Sequence, residues 1–251
     1  MVIEKQLEST LPCCVIEHSE TVENYLKAVF HMSSVGEPAA TTTLIAERLG
    51  VAPPSVSAMV KRLEENDLVS HAGRGRVVLT DHGREHALAV VRRHRLLETF
   101  LHRFLKMGWD EVHVEAERLE HALSPRLEDR IDEALGFPTR DPHGDPIPPK
   151  HGPHDEAWGM PLDRTAPGCL FLVERISDRD SAALRYLAEL GILPGVELTV
   201  QERAPFDGPL WVELGGQRYA LGSTLTRLIH GTVLPATGQA TTVSTDLTSG
   251  A

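Results

Sequence analysis

A proline-rich stretch in the middle of the chain restricts the fold more than any other feature. Residues 137–167 contain eight prolines and several glycines. A helix interior or a central strand does not tolerate this density of proline, because proline lacks a backbone N–H and fixes φ. The sequence therefore predicts a linker over residues 137–166, with one folded part before it and a second one after it.

The two parts differ in their hydrophobic periodicity. Before the linker, apolar residues recur three and four positions apart, as in Val22, Tyr25 and Leu26, which indicates amphipathic helices. After the linker, short β-prone runs alternate with glycine and proline turns around a helical insert at 181–190. This pattern predicts a small β-barrel over residues 167–235.

The two ends of the chain and its cysteines complete this outline. Residues 1–18 have no clear periodicity and are expected to form a loose arm, and the Thr/Ser/Gly-rich residues 236–251 are expected to be a disordered tail. No apolar run approaches the roughly 18 residues that a membrane-spanning helix needs, and the first residues lack the layout of a secretory signal. Cys13, Cys14 and Cys169 match no zinc pattern and no disulfide framework, which favours a reducing cytoplasm.

The elements before the linker follow the order of a winged helix-turn-helix. A first helix precedes a short helix that begins at Thr41 and ends at Gly50. A third helix begins at Pro53 and Pro54, because proline is tolerated in the first turn of a helix. Two β-prone runs around a glycine-bearing turn then form a predicted hairpin. We predict that residues 19–83 form a DNA-binding domain.

The third helix and the hairpin supply the predicted contacts to DNA. In this motif the second helix of the pair enters the major groove. Small and hydroxylic side chains allow close approach to base edges, and basic side chains contact phosphates. The alternative is a packing unit whose serines are merely solvated. The residues predicted to contact DNA are Pro54, Ser55, Ser57, Ala58, Lys61, Arg62, Arg74 and Arg76.

The charge distribution is compatible with DNA binding, although the whole chain carries a net charge of −11. Residues 37–106 contain 11 Lys/Arg and 8 Asp/Glu, a net charge of +3, so the remainder carries −14. A basic module inside an acidic chain can bind DNA locally.

Acidic and imidazole side chains recur at helical spacing on two consecutive helices. In the helical run from 110 to 135, which is broken only at Ser124 and Pro125, residues three and four positions apart share a face. Two carboxylates and two imidazoles on one stripe are unfavourable to bury unless a cation neutralises them. A solvated face with salt bridges is the alternative. The residues of this pattern are His113, Glu117, Glu120 and His121, together with His94 and Glu98 one helix earlier.

The donor set predicts which ions bind. It contains carboxylate oxygens and imidazole nitrogens but no thiolate, which suits Mn²⁺ or Fe²⁺ better than an ion that prefers sulfur. Other divalent ions are expected to bind in vitro, because affinity alone favours Zn²⁺ and Cu²⁺. We therefore predict Mn²⁺ as the cofactor, with Fe²⁺ as the alternative.

Several histidine and cysteine features are interpreted as structural. The segment His82–His86 spells the HxxEH pattern of one metallopeptidase class, but it lies at the start of a helix and contains a glycine. His143, His151 and His154 lie in the predicted linker and are expected to be solvated. Cys169 lies near a strand and is expected to be a small buried apolar residue.

Six short segments together resemble one family of regulators. In chain order they are Val22–Lys27, Pro54–Ser57, Leu79–Arg84, Arg92–Glu98, Glu117–His121 and Gly144–Pro148. Any one segment is weak evidence for a resemblance, but the six together, in this order, are specific. The chain from about residue 20 to residue 235 resembles the diphtheria-toxin-repressor family of metal-dependent transcriptional regulators, and within it the manganese-transport-regulator branch.

The resemblance implies a mainly α fold with α+β elements in three parts. These are the winged helix-turn-helix, a helical dimerisation and metal-binding domain over 84–136, and an SH3-like domain, here a β-barrel, after the linker. It also implies two metal sites per subunit. The regulatory site would use Asn24, Glu117, Glu120 and His121. The ancillary site would use His94, Glu98 and His113, with Asp180 where the family can place a carboxylate of the C-terminal domain.

The chain departs from the family at several ligand positions. The iron-sensing members have a cysteine at the position of Glu117 and a methionine at the position of Asn24, so this chain lacks their sulfur donors. Manganese sensors often have an aspartate at Asn24. The minimal manganese regulators carry an acidic residue at Lys27, so their closely paired two-metal arrangement is not expected here. Ala183 stands where some members have a second ligand from the C-terminal domain.

The sequence thus predicts a cytoplasmic, homodimeric repressor that is activated by manganese and binds operator DNA to control metal uptake and homeostasis. An iron-responsive regulator of the same family is the first alternative. A metallohydrolase on the same helices and a winged-helix regulator of a small molecule are the alternatives from other classes. The β-domain could also be a protein-interaction module. We expect no enzymatic activity, no small-molecule substrate and no membrane partner.

Overall fold

The computed structural model describes residues 19–33, 39–73 and 75–235. The chain divides into two compact units, residues 1–157 and residues 158–251. The predictions for residues 1–18, Arg74 and residues 236–251 lie outside the described residues.

The first unit is helical, with one β-hairpin. Its helices begin where the sequence places caps: the side chains of Ser19, Thr41 and Ser124 each accept a hydrogen bond from a backbone N–H of the first turn. Its elements are α1 (Glu20–Met32), α2 (Thr42–Leu49), α3 (Pro53–Glu65), β1 (Val69–Ala72), β2 (Arg76–Leu79), α4 (Asp81–Leu105), α5 (Val112–Leu119) and α6 (Pro125–Leu135).

The predicted winged helix-turn-helix is confirmed by α1 to β2. Strands β1 and β2 pair antiparallel, and an isolated bridge joins Thr41 to Arg76 beside the turn of this wing. Buried apolar residues from α1, α2, α3 and the wing form one hydrophobic core with the start of α4. The packing there is close, because a Cβ on Gly83 would lie 1.8 Å from the carbonyl oxygen of Leu68.

One helix boundary differs from the sequence prediction. Helix α5 ends at Leu119, so Glu120 and His121 lie beyond it and not within one continuous helix. Helix α5 spans only eight residues, and the next helix, α6, begins after its N-cap at Ser124. Helix α4 is capped by Thr80 and ends at Leu105, with Lys106 in the left-handed region.

The proline-rich stretch is packed against the first unit as far as residue 157, and there it is not a free linker. Arginines of α4 hold its backbone: Arg92 Nη1 donates to the carbonyl of Pro148 at 2.8 Å, and Arg95 Nη1 donates to the carbonyl of Pro146 at 2.6 Å. Ile147 lies in the hydrophobic cluster formed by α4, α5 and α6. Prolines suit this extended path, because their carbonyls remain available as acceptors.

Glu156 fixes the end of this segment to α4. Its two carboxylate oxygens accept hydrogen bonds from Arg95 at 2.5 and 3.0 Å, and His154 Nε2 lies 2.5 Å from Oε2. Burial would raise the pKa of Glu156, but His154 and Arg95 outweigh it and lower the pKa from 4.5 to about 2. The depressed pKa means that Glu156 stabilises the fold when it is ionised.

We predict that Glu156→Gln destabilises the protein by about 3 kcal/mol at pH 7. Because the folded pKa lies below the unfolded one, this stabilisation is present above pH 4.5 and is lost as the pH falls towards 2. The difference in unfolding temperature between wild type and variant should therefore stay constant from pH 7 to pH 5 and become smaller at pH 4. Glu133→Gln, which removes an exposed partner of Arg130, is the control and should change little. A Glu156→Gln effect independent of pH would contradict this assignment.

The second unit is built on one antiparallel sheet, and its strand order is β3-β8-β4-β5-β6-β7. The edge strands β3 and β7 do not pair with each other, so the predicted closure into a barrel is wrong. Phe171, Val173 and Val200 are among its fully buried residues. The strands are β3 (Met160–Pro161), β4 (Leu170–Ile176), β5 (Glu197–Arg203), β6 (Leu210–Leu214), β7 (Gln217–Leu221) and β8 (Ile229–Leu234), and the helices are a short 3-10 helix (Leu162–Arg164), α7 (Ser181–Glu189) and α8 (Ser223–Thr226).

Among the described residues, no helix combines the length and the apolar character that crossing a membrane would require.

Candidate metal centre

The three residues predicted for the ancillary site converge on one point. His94 Nε2 lies 3.0 Å from Glu98 Oε1 and 3.1 Å from His113 Nδ1, and His113 Nδ1 lies 3.2 Å from Glu98 Oε1. Donor atoms bound about 2.1 Å from one ion lie about 3.0–3.5 Å apart, so this triangle has the dimensions of a metal site. His94 and Glu98 are buried, and both come from α4 at a spacing of four residues.

The electrostatics of this triangle favour a bound cation. Burial would lower the pKa of His94, but the carboxylates of Glu98 and Glu120 raise it to about 9. Burial would raise the pKa of Glu98, but His94, His113 and His143 hold it well below its usual range. In the absence of metal the cluster is therefore neutralised by a proton, which a divalent ion could replace.

Three of the four residues predicted for the regulatory site lie together, and the fourth, Glu117, is joined to them through Lys27 and Glu120. His121 Nε2 is 3.0 Å from Asn24 Oδ1 and 3.4 Å from Glu120 Oε1. Asn24 lies on α1, Glu117 lies on α5, and Glu120 and His121 lie in the turn that follows α5. The oxygen and nitrogen donors fit a hard or borderline divalent ion.

Lys27 lies inside this regulatory cluster. Its Nζ donates to Glu117 Oε1 at 2.7 Å and to Glu120 Oε1 at 2.6 Å. The side chain of Glu120 is fully buried and that of Lys27 is 9% exposed, so this ion pair is shielded from solvent. Burial would raise the pKa of Glu120, but His94 and Lys27 lower it, so its carboxylate remains ionised.

Glu120 joins the two clusters. While its Oε1 faces Lys27 and His121, its Oε2 lies 2.5 Å from His94 Nδ1. The same imidazole presents its other nitrogen, Nε2, to Glu98 and His113. Partners of this kind fix the tautomer and orientation of a ligating histidine.

His121 is positioned by a carboxylate, that of Glu23, which was not predicted from the sequence. Glu23 Oε2 lies 2.5 Å from His121 Nδ1, which leaves Nε2 to face Asn24. Arg93 holds this arrangement, because it donates to Glu23 Oε1 at 2.6 Å and to the carbonyl of Glu120 at 2.9 Å. A glutamate in the first turn of a helix is common on dipole grounds alone, so the sequence offered no clear signal.

His143 was expected to be a solvated linker residue, and this is wrong. The residue is fully buried, its Nε2 lies 2.6 Å from the carbonyl of Trp109, and its Nδ1 lies 3.7 Å from Glu98 Oε2. Glu98, Asp141 and His143 form a further group whose donor atoms lie within 4.8 Å of one another. The segment from residue 139 to 148 carries Asp141 and His143 inward, because arginines of α4 bind its backbone.

The remaining histidine and cysteine predictions have mixed outcomes. His151 is exposed, as expected, whereas the side chain of His154 is only 3% exposed beside Glu156. Cys169 is partly exposed and not buried.

Asp180 lies in the second unit at the N-cap of α7. Its Oδ1 accepts hydrogen bonds from the backbone N–H groups of Ala182 at 2.9 Å and Ala183 at 3.1 Å. This oxygen therefore caps the helix, and a role of Asp180 in the ancillary site stays a prediction.

Seven of the eight residues predicted to contact DNA are described by the structure, and they lie on an open surface. Helix α3 turns Val56, Val60 and Leu63 into the core, so its other face is left to solvent. The exposed members of the predicted set are Pro54, Ser55, Ser57, Ala58, Lys61, Arg62 and Arg76.

Three family models match consecutive parts of the chain. The N-terminal DNA binding domain of iron dependent repressors matches residues 17–77, and their metal binding and dimerisation domain matches residues 80–149. The FeoA domain matches residues 160–232. The iron-dependent repressor IdeR of Mycobacterium leprae is 34% identical over 195 residues, which span 72% of this chain and 84% of IdeR. The chain belongs to the diphtheria-toxin-repressor family.

Two further relatives agree with this assignment. The diphtheria toxin repressor of Corynebacterium diphtheriae is 37% identical over 129 residues, which span 51% of this chain and 57% of that protein. A solved structure of a manganese-dependent transcriptional repressor in complex with manganese has a TM-score of 0.79 and 44% identity, and covers 85% of this chain and 100% of that one. The resemblance to the family and its manganese branch is confirmed. Because the family consists of transcriptional repressors, the metallohydrolase alternative is excluded.

Proposed function

We propose that this chain is a metal-activated transcriptional repressor that responds to Mn²⁺, binds operator DNA as a homodimer and controls genes of metal uptake and homeostasis in the cytoplasm. The observation that carries the proposal is the regulatory cluster, in which Asn24 from the DNA-binding domain contacts His121 of the helical domain, and His121 lies beside Glu120.

Two ions per subunit are proposed. The regulatory ion is held by Asn24, Glu117, Glu120 and His121, and the ancillary ion is held by His94, Glu98 and His113. The second unit could complete the ancillary site through Asp180. The convergence of the His94, Glu98 and His113 donor atoms within 3.2 Å supports the ancillary assignment.

Manganese is proposed over iron because of the donor atoms. Both proposed sites offer only oxygen and nitrogen, and neither Asn24 nor Glu117 supplies sulfur. Ligand sets rich in hard oxygen donors suit Mn²⁺, whereas softer nitrogen and sulfur donors favour the other transition-metal ions that compete with it. The similarity to a manganese-dependent repressor solved with manganese supports the same choice.

The ion is proposed to act by fixing α1 to the turn after α5. Bound there, it supplies two positive charges that neutralise and cross-link ligands from two domains. Recognition helices of a dimer must reach half-sites roughly 34 Å apart, so mobile DNA-binding domains bind DNA with an entropic penalty. Ordering α1 against the helical domain shifts the population towards the competent spacing. Helix α3 would then present Ser55, Ser57 and Lys61 to the DNA.

The test uses a DNA duplex that the Mn²⁺-loaded protein selects from a random-sequence pool. Anisotropy titrations of this duplex with the full chain in Mn²⁺, in anaerobic Fe²⁺ and in EDTA should give at least tenfold tighter binding with Mn²⁺ than with EDTA. Half-maximal activation should need less Mn²⁺ than Fe²⁺. Equal affinity in Mn²⁺ and EDTA would refute metal activation and would favour a regulator of another ligand. Activation by Fe²⁺ at lower concentration would refute the manganese assignment alone.

A further inference from the structure

Lys27 is the one side chain of the regulatory cluster that cannot ligate a metal while it carries its charge. It reaches from α1 to carboxylate oxygens of two proposed ligands, Glu117 Oε1 and Glu120 Oε1. The lysine is largely buried and Glu120 is fully buried, so this contact is part of the interior and not a surface ion pair.

One carboxylate oxygen contacts both the ammonium and a proposed ligand of the ion. Glu120 Oε1 is 2.6 Å from Lys27 Nζ and 3.4 Å from His121 Nε2, and His121 Nε2 is 3.0 Å from Asn24 Oδ1. Glu120 Oε2 is unavailable as a substitute, because it faces His94 Nδ1 at 2.5 Å. An ion and the ammonium must therefore share Glu120 Oε1, or the lysine must move away.

The lysine also occupies the place of a possible ion. His94, Glu117 and Glu120 each offer a donor atom, and these three atoms lie within 4.8 Å of one another. Lys27 Nζ is bonded to two of the three residues. A single positive charge thus already stabilises carboxylates that would otherwise repel each other in the interior.

Given the regulatory site of the proposed function, we propose that Lys27 is a built-in competitor of the metal that sets the ion concentration at which the repressor is activated. In the metal-free protein the ammonium holds Glu117 and Glu120 together. It also cancels one of their two negative charges, so an entering divalent ion meets a less negative site. The lysine therefore stabilises the metal-free protein and weakens metal binding at the same time.

The experiment compares Mn²⁺ binding to wild type, Lys27→Gln and Lys27→Arg without DNA, by calorimetric titration of the full chain, and thermal unfolding with and without Mn²⁺. Lys150→Gln, which removes the partner of the exposed Asp129, is the matched control. Lys27→Gln should bind Mn²⁺ at least about tenfold more tightly at one site and should unfold at lower temperature without metal. Lys27→Arg and Lys150→Gln should bind Mn²⁺ within about threefold of wild type.

Unchanged or weaker Mn²⁺ binding by a folded Lys27→Gln would overturn the proposal, because a merely structural lysine alters stability without raising affinity. If Lys27→Gln does not fold without metal, the variant is unfolded with chelator and refolded by adding Mn²⁺. The Mn²⁺ concentration needed for refolding must then still give a tighter apparent affinity than that of wild type. Refolding only at the Mn²⁺ concentrations that saturate wild type would also overturn the proposal. These outcomes differ from failure of the proposed function, which would appear in wild type as operator binding insensitive to Mn²⁺.

Discussion

The Glu120→Gln variant should lose nearly all Mn²⁺-dependent operator binding. Glu120 is fully buried, and its two oxygens contact Lys27, His121 and His94. The amide removes one of the two negative charges of the regulatory site, which are those of Glu117 and Glu120. It also places its NH₂ group where a carboxylate oxygen contacts either Lys27 or His94. We expect the Mn²⁺ affinity of that site to fall by at least about 100-fold, or roughly 2.7 kcal/mol. Calorimetric titration with Mn²⁺, followed by anisotropy with the selected duplex, measures both effects.

Glu115→Gln is the matched control for this substitution. Glu115 lies on α5, the helix that ends just before Glu120, but it is partly exposed and pairs only with the exposed Arg118 among the contacts described. Its replacement should leave Mn²⁺ affinity and operator binding within about twofold of wild type. Wild-type Mn²⁺ affinity in Glu120→Gln would place the regulatory ion elsewhere.

The Phe104→Glu variant should be monomeric and should bind the selected duplex at least about 100-fold more weakly. Residues 80–149 match a dimerisation domain, and within that range Phe104 is 53% exposed near the end of α4. The neighbouring Leu105 is 58% exposed, so apolar surface continues at this end of the helix, and an exposed apolar patch marks an interaction surface. In a two-fold dimer one substitution introduces the charge twice, so its effect is doubled. Other exposed apolar residues in the range are Leu105, Val114, Leu119, Leu127 and Phe137.

Phe206→Glu is the control for the dimer prediction. Phe206 is 100% exposed in the second unit, outside the matched dimerisation domain, so the same chemical change should leave the molecular mass and operator affinity unaltered. Sedimentation velocity reports the mass directly. A Phe104→Glu protein that remains dimeric would show that α4 does not form the interface. Loss of the dimer in Phe206→Glu would instead assign the interface to the second unit.

The order of the elements could be predicted because local signals define them. Thr41 caps α2, Gly50 ends it in the left-handed region, and Pro53 begins α3. These signals act within a few residues and do not depend on distant packing. The ligand pattern was equally local for His94 and Glu98, which share a face of α4 at a spacing of four residues.

The burial of His143 could not be predicted from local pattern. It depends on Arg92 and Arg95 of α4, which bind backbone carbonyls of a proline-rich segment about fifty residues away. No periodicity marks such a contact, and the composition of the segment is that of a linker. The position of Lys27 was missed for a similar reason, because it meets Glu117 and Glu120 across 90 and 93 residues. The sequence excluded Lys27 as a ligand but could not show that it contacts the ligands.

The open sheet of the second unit illustrates a further limit. Short strands separated by turns are shared by barrels and open sheets, and only the pairing of the edge strands distinguishes them. Strand β3 has two residues and pairs with β8 alone, so it does not reach β7. A strand that short leaves no clear signal in the sequence.

The central claim is that metal binding and DNA binding are coupled through the joint between α1 and the turn after α5. Coupling between two sites is reciprocal, so an ion that tightens DNA binding must itself be bound more tightly on DNA. The direct measurement is the Mn²⁺ affinity of the full chain, with and without a saturating amount of the selected duplex. We expect the duplex to tighten Mn²⁺ binding by at least tenfold, by the same factor as Mn²⁺ tightens duplex binding. The same Mn²⁺ affinity with and without the duplex would contradict the account.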